Sequence, residues 1–111
     1  MPYKFSRCIS IQTDDLKRAA EFYKGVLGFE VKDEPDDHCI ELDGEQNRLF
    51  LEDDKLGGVV MELIVPDLET ARIELLKAGC SLISWNGKGK DNYVRDPFGF
   101  VFNIWEGPEA F

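Results

Sequence analysis

The sequence predicts an α+β domain made of tandem βαβββ modules that form a cupped, mixed β-sheet. Three observations lead there. Segments with the two-residue alternation of strands are interrupted twice by an amphipathic helical stripe. Each stripe begins at an Asp-Leu step, Asp15-Leu16 and Asp67-Leu68. Superposing the steps, an offset of 67 − 15 = 52, lays Ile9 on Met61, Ile11 on Leu63, Thr13 on Val65 and Ala19 on Ala71.

Residues 4–13 alternate, with Phe5, Ile9 and Ile11 apolar and Ser10 and Gln12 polar, as a half-buried strand requires. Asp14 and Asp15 offer helix caps, and Leu16, Ala19, Ala20, Tyr23, Val26 and Leu27 recur at helical spacing until Gly28 stops the helix. Short strands are expected at 29–32, 39–42 and 48–52, joined by the turn-forming stretches 34–37 and 43–45. Residues 53–58 read as a linker. The pattern then repeats: a strand at 59–65, a helix started by Pro66-Asp67 and ended by Gly79, and strands near 80–84, 92–95 and 100–105. The 111 residues make a single domain, with module one at about 4–53 and module two at about 58–106. One helix over four strands leaves the opposite sheet face uncovered, and such concavities are where small molecules bind.

With 22 acidic against 13 basic residues, the net charge of −9 excludes a nucleic-acid phosphate backbone as partner and reads as a solvated surface. No apolar run approaches the roughly 18–20 residues of a membrane helix, and the N-terminal residues lack the layout of a signal peptide. Cys8, Cys39 and Cys80 form no Cys-x-x-Cys element and read as free thiols in a reducing compartment. A soluble, cytoplasmic protein is expected.

Three segments carry a family resemblance. They are 15–29 with its Phe22-Tyr23 and Val26-Leu27-Gly28-Phe29, Val65-Pro66-Asp67-Leu68 leading to Lys77-Ala78-Gly79, and Asp96-Pro97-Phe98-Gly99-Phe100. Together they resemble the vicinal oxygen chelate superfamily of glyoxalase I, bleomycin-resistance proteins and extradiol dioxygenases. The resemblance implies the glyoxalase/bleomycin resistance/dihydroxybiphenyl dioxygenase-like fold and a homodimer. Phe22 and Tyr23 are expected to press the first helix onto its sheet.

Metal-dependent members of that superfamily carry His, Glu or Gln on the first and last strands of each module. Carried over, those positions fall on Cys8, Val60, Asn103 and Phe50, which do not supply the donors that zinc, iron, manganese or nickel needs. The lone histidine, His38, is short of the two that an extradiol dioxygenase uses. No metal and no other cofactor is therefore expected, the alternative being a carboxylate-only divalent cation site drawn from Glu52, Glu62 or Glu106.

On the pleat Cys8, Ser10 and Gln12 share one face, as do Val60, Glu62 and Ile64, and Val101, Asn103 and Trp105. A cup lined by Cys8, Ser10, Gln12, Phe50, Val60, Glu62, Trp85, Asn103 and Trp105 suits an aromatic or hydrophobic, partly cationic small molecule, held as bleomycin-resistance proteins hold drugs, without transforming them. The competing reading is an enzyme: a metal-dependent lyase or isomerase of the lactoylglutathione lyase type, or an acid-base enzyme with Glu62 as its base. The loop 86–90, rich in Gly and Lys, is expected to be flexible; such loops often close over ligands and more often are merely turns.

Overall fold

The computed structural model describes residues 3–108. The element order is β1 (Lys4–Gln12), α1 (Leu16–Gly25), β2 (Glu30–Asp36), β3 (Cys39–Gly44), β4 (Asn47–Glu52), β5 (Val59–Val65), α2 (Leu68–Lys77), β6 (Ser81–Trp85), β7 (Asn92–Arg95) and β8 (Val101–Glu106). This is β-α-β-β-β twice, an α+β fold. Residues 7–60 form one compact unit, and residues 61–108 with 3–6 form another.

The two units have the same internal topology. In the first, the strands lie in the order β2-β3-β4-β1, with β1 parallel to β4 and the other pairs antiparallel. In the second, the order is β5-β8-β7-β6, with β5 parallel to β8 and the other pairs antiparallel. A parallel pair needs a long crossover, and in each unit the helix supplies the first part of it.

The helices begin alike. Asp15 accepts a hydrogen bond from the Arg18 amide at 3.1 Å, and Asp67 accepts one from the Thr70 amide at 2.9 Å, each satisfying an amide that has no partner within the helix. They end differently. At α2 the Gly79 amide bonds the Leu76 carbonyl and the Cys80 amide bonds the Leu75 carbonyl, a Schellman closure around Gly79 at φ +99°. At α1 the Phe29 amide reaches back one residue further, to Tyr23, which puts Gly28 out of step with Gly79 by one position.

In the second unit, Val65, Leu68, Ala71, Val94 and Ile104 form the core, with Tyr3, Leu63, Leu75, Trp85 and Phe102 packed against it. In the first, register puts Ile9, Leu49 and Leu42 on the same sheet face as Ile11, Leu51 and Ile40, and Leu42 and Leu51 are fully buried there. Helix α1 contacts β3 and β4, yet none of its residues is buried. Phe22 is 48% exposed and its ring meets that of Tyr23 edge-on, while the half-buried Tyr23 ring in turn tilts onto Phe29.

Strand β2 also departs from expectation. The sequence predicts a turn at 34–37, but the strand runs on through Pro35 to Asp36. It does so because β2 is the outer strand of its unit's sheet, where a missing amide interrupts no ladder, and two register shifts absorb the irregularity. Because each Asp caps its helix through one side-chain oxygen, Asp15→Ala and Asp67→Ala are expected each to lower the urea midpoint of unfolding with the m-value unchanged, and Asp→Asn at either site to restore most of it.

Candidate functional site

The sheet face opposite α1 is built by alternation. Register sets Cys8, Ser10 and Gln12 beside Arg48, Phe50 and Glu52, and these beside Asp43, Glu41 and Cys39. Cys8, Ser10 and Glu41 are buried, whereas Gln12, Arg48 and Phe50 are half-buried. At the centre the Arg48 guanidinium donates to both oxygens of Glu41, Nε at 2.8 Å and Nη2 at 2.9 Å, and lies 5.2 Å from the centre of the Phe50 ring. Glu41 is only 4% exposed, so it is the bidentate pairing that makes its charge tolerable there. The Arg48 hydrogen bonds hold the Glu41 carboxyl below its usual range, against the upward push of burial.

Sequence reasoning nominated Phe50 but missed Glu41 and Arg48. The signal was present: opposite charges on alternating positions of two strands joined by a tight turn fall on one face as diagonal neighbours. Gln12 bridges inward, donating to Ser10 Oγ at 2.8 Å and accepting from the Asp54 amide at 3.1 Å. Two of the nominated polar groups thus already serve each other.

In the second unit, Glu62, Asn103 and Tyr93 stand in register on the face opposite α2, next to Ile64 and Trp105. Glu62 and Tyr93 are each 8% exposed; Val60, the last residue of the first unit, is buried. Asn103 accepts from the Asn92 amide at 3.0 Å and donates to Asp91 at 3.1 Å, tying β7 to β8.

Trp85 does not belong with this set. A register shift between Leu82 and Ser84 pairs Trp85 with Asn92, and its ring packs on the helix-side core with Val94 and Ile104. The loop after it is not loose. Asn92, 1% exposed, accepts from the Asn86 and Gly87 amides and donates to the Gly87, Lys90 and Ile104 carbonyls.

The donor set does not fit a transition metal. Cys8, Phe50, Val60 and Asn103 occupy the carried-over positions, and Asn103 is engaged as described. Among the described residues, no group of three or more His, Cys, Asp or Glu converges. Glu106, one of the three carboxylates considered for a harder cation, instead accepts from the Leu68 amide at 2.7 Å and pairs with Lys88 at 2.9 Å, which lowers its pKa. His38 is exposed and pairs with Asp53. All three cysteines are free. Burial and then the Glu52, Asp36, Asp54 and Glu41 charges push the Cys39 thiol up to about 12, so it stays protonated.

These features define an α+β scaffold with a polar strand face and, among the described residues, no cluster of three or more His, Cys, Asp or Glu. The family model described as a glyoxalase-like domain matches residues 8–105, and the chain belongs to that family. Among solved structures, it is similar to a glyoxalase/bleomycin resistance protein/dioxygenase superfamily member from Vibrio splendidus, at 23% identity and TM-score 0.67 over 95% of this chain and 99% of that one. A hypothetical protein from Bacillus halodurans aligns at 18% identity and TM-score 0.65 over 100% and 99%. An extradiol ring-cleaving dioxygenase from B. fuscum aligns at 23% identity and TM-score 0.65, over 97% of this chain but 34% of that one. At these identities the likeness is one of fold. Among curated proteins, none matches.

Two outcomes follow from the charges on the strand face. Because the Glu41 pKa is lowered on folding, the pair stabilises the protein above the ordinary carboxylate pKa, and that stability is lost as pH falls through the lowered value. Denaturation between about pH 5 and pH 3 should therefore show a steeper loss for the parent than for Glu41→Gln, which at neutral pH is less stable by about 3 kcal/mol. Alkylation by iodoacetamide at about pH 8, read by peptide mapping, should modify Cys39 at least about tenfold more slowly than an unstructured thiol, the difference vanishing in denaturant.

Proposed function

We propose that this glyoxalase-like protein is a metal-independent small-molecule binder that holds an aromatic or hydrophobic, cationic ligand against its polar strand faces. The observation that carries the reading is the paired Arg48–Glu41 beside the Phe50 ring, on a face that also bears Asp43 and Glu52 and whose carried-over ligand positions hold Cys8 and Phe50. Beyond the Arg48–Glu41 pair, that face bears the carboxylates of Asp43 and Glu52 beside the Phe50 ring, with the Lys32 ammonium as a nearby countercharge to Glu41. A flat cation gains by stacking and by charge. Bleomycin-resistance-type sequestration, a homodimer and a cytoplasmic location belong to the same reading. The free thiols support the last, and Phe98 and Phe100, exposed at 84% and 66%, support an association surface.

A second reading rests on Glu62, a carboxylate only 8% exposed that stands in register with Asn103 next to Tyr93. In that reading Glu62 is the base of a proton-transfer enzyme, or the site recruits a metal for lactoylglutathione lyase chemistry.

Elemental analysis of protein purified without chelator and a thermal-shift panel of planar aromatic cations test the first reading. Metal below stoichiometric level is expected, together with a saturable rise in melting temperature that Phe50→Ala removes. Stoichiometric zinc, nickel or iron would sink it. Turnover of methylglyoxal with glutathione, abolished by Glu62→Gln, would favour the second.

A further inference from the structure

On the other side of the first unit's sheet, a cleft of about 610 Å³ runs between α1 and the β2–β3 hairpin. That is the size of a small-molecule site. Its floor is apolar and half-buried: Leu16 and Ala20 from α1, and Ile40 from β3. Ile40 lies on the helix side of the sheet, whereas its neighbour Glu41 points to the face described above, so the two locations are separated by the thickness of the sheet. One end is left open by Gly25, the last residue of α1, where an added Cβ meets nothing within 4 Å.

The walls are charged and unequal. The hairpin contributes Glu34, Asp36 and Asp37, and α1 contributes Glu21 between Lys17 and Lys24. Four carboxylates face two ammonium groups, and among the described residues no ion pair joins Lys17 or Lys24 to the hairpin acids. The acids are also the better placed. Asp36 is set by its own turn, its Oδ1 accepting from the His38 amide at 2.7 Å, while the lysines ride on long flexible stems. A cation at the hairpin end meets fixed negative charge, and an apolar body attached to it covers Leu16, Ala20 and Ile40. A second cation, carried towards α1, would meet Lys17 and Lys24.

We propose that this cleft is a second ligand site, separate from the polar strand faces, and that it takes a monocation on an apolar body, the chemical class of the aryl-alkyl amines. The probe is phenethylamine, titrated into the ¹⁵N-labelled full chain and followed by amide chemical shifts, with phenethyl alcohol and hydrocinnamate as the neutral and anionic counterparts. Saturable shifts are expected at Ala20, Gly25 and Ile40, with the alcohol and the carboxylate bound at least about tenfold more weakly and the amine's affinity falling as salt rises. The double variant Glu34→Gln, Asp36→Asn weakens the amine severalfold. Gly25→Leu fills the open end and removes the shifts, with no loss of melting temperature because glycine is a poor helix former. Phe50→Ala leaves the binding intact, which separates this site from the one proposed above. Absence of saturable shifts, shifts confined to residues such as Gln12 and Phe50, equal affinity for hydrocinnamate, or full affinity in Gly25→Leu would each overturn the proposal.

Discussion

A four-stranded sheet covered by a single helix has one face to seal and one face left over, and nearly every feature of this protein follows from that. Successive side chains on a strand point to opposite faces, so each strand has to serve both. Adjacent residues divide accordingly: Leu42 goes under α1 while Glu41 goes to the other side, and Leu51 is fully buried next to Phe50, which stacks with Arg48. The second unit obeys the same rule, with Leu63 and Ile104 on the α2 side and Glu62 and Asn103 opposite.

What occupies the left-over face decides its chemistry. A buried carboxylate is costly unless it is paired, and Glu41 is paired by a bidentate guanidinium that a ring in turn supports. Ser10 with Gln12, and Asn92 with Asn103, are likewise joined to one another. Where polar groups already satisfy each other, as Ser10 and Gln12 do, the face offers a ligand surface, stacking and net charge more than unmet hydrogen-bond donors. The same fold carries unrelated chemistries, so the arrangement on this face, rather than the likeness to a dioxygenase, bears on function.

The two helices repeat one design with different results. Both start at a capping Asp, but α2 buries Leu68 and Ala71, while α1 buries nothing and leaves Phe22, Val26 and Leu27 largely exposed. The looser seating of α1 is what leaves room for the cleft beside Ala20 and Ile40. Gly25 keeps its end open.

Local and periodic features were legible in the sequence by itself. The repeat at an offset of 52, the Asp15 and Asp67 caps, the stop glycines and the assignment of Ile9 and Ile11 to one side and Ser10 and Gln12 to the other need only neighbours a few residues apart. Pairings across strands were decided by the tertiary structure. One register shift between Leu82 and Ser84 reverses the parity of β6 and sends Trp85 to the core, because a single added residue exchanges the two faces. Pro35 sits in a strand because that strand is the outer one in its unit. Arg48 and Glu41 meet because a hairpin sets them diagonally, and Asn92 gathers a loop around one side chain. Period and capping are properties of the chain's own backbone, whereas register and burial depend on which other strand lies alongside, and no stretch of sequence carries that alone.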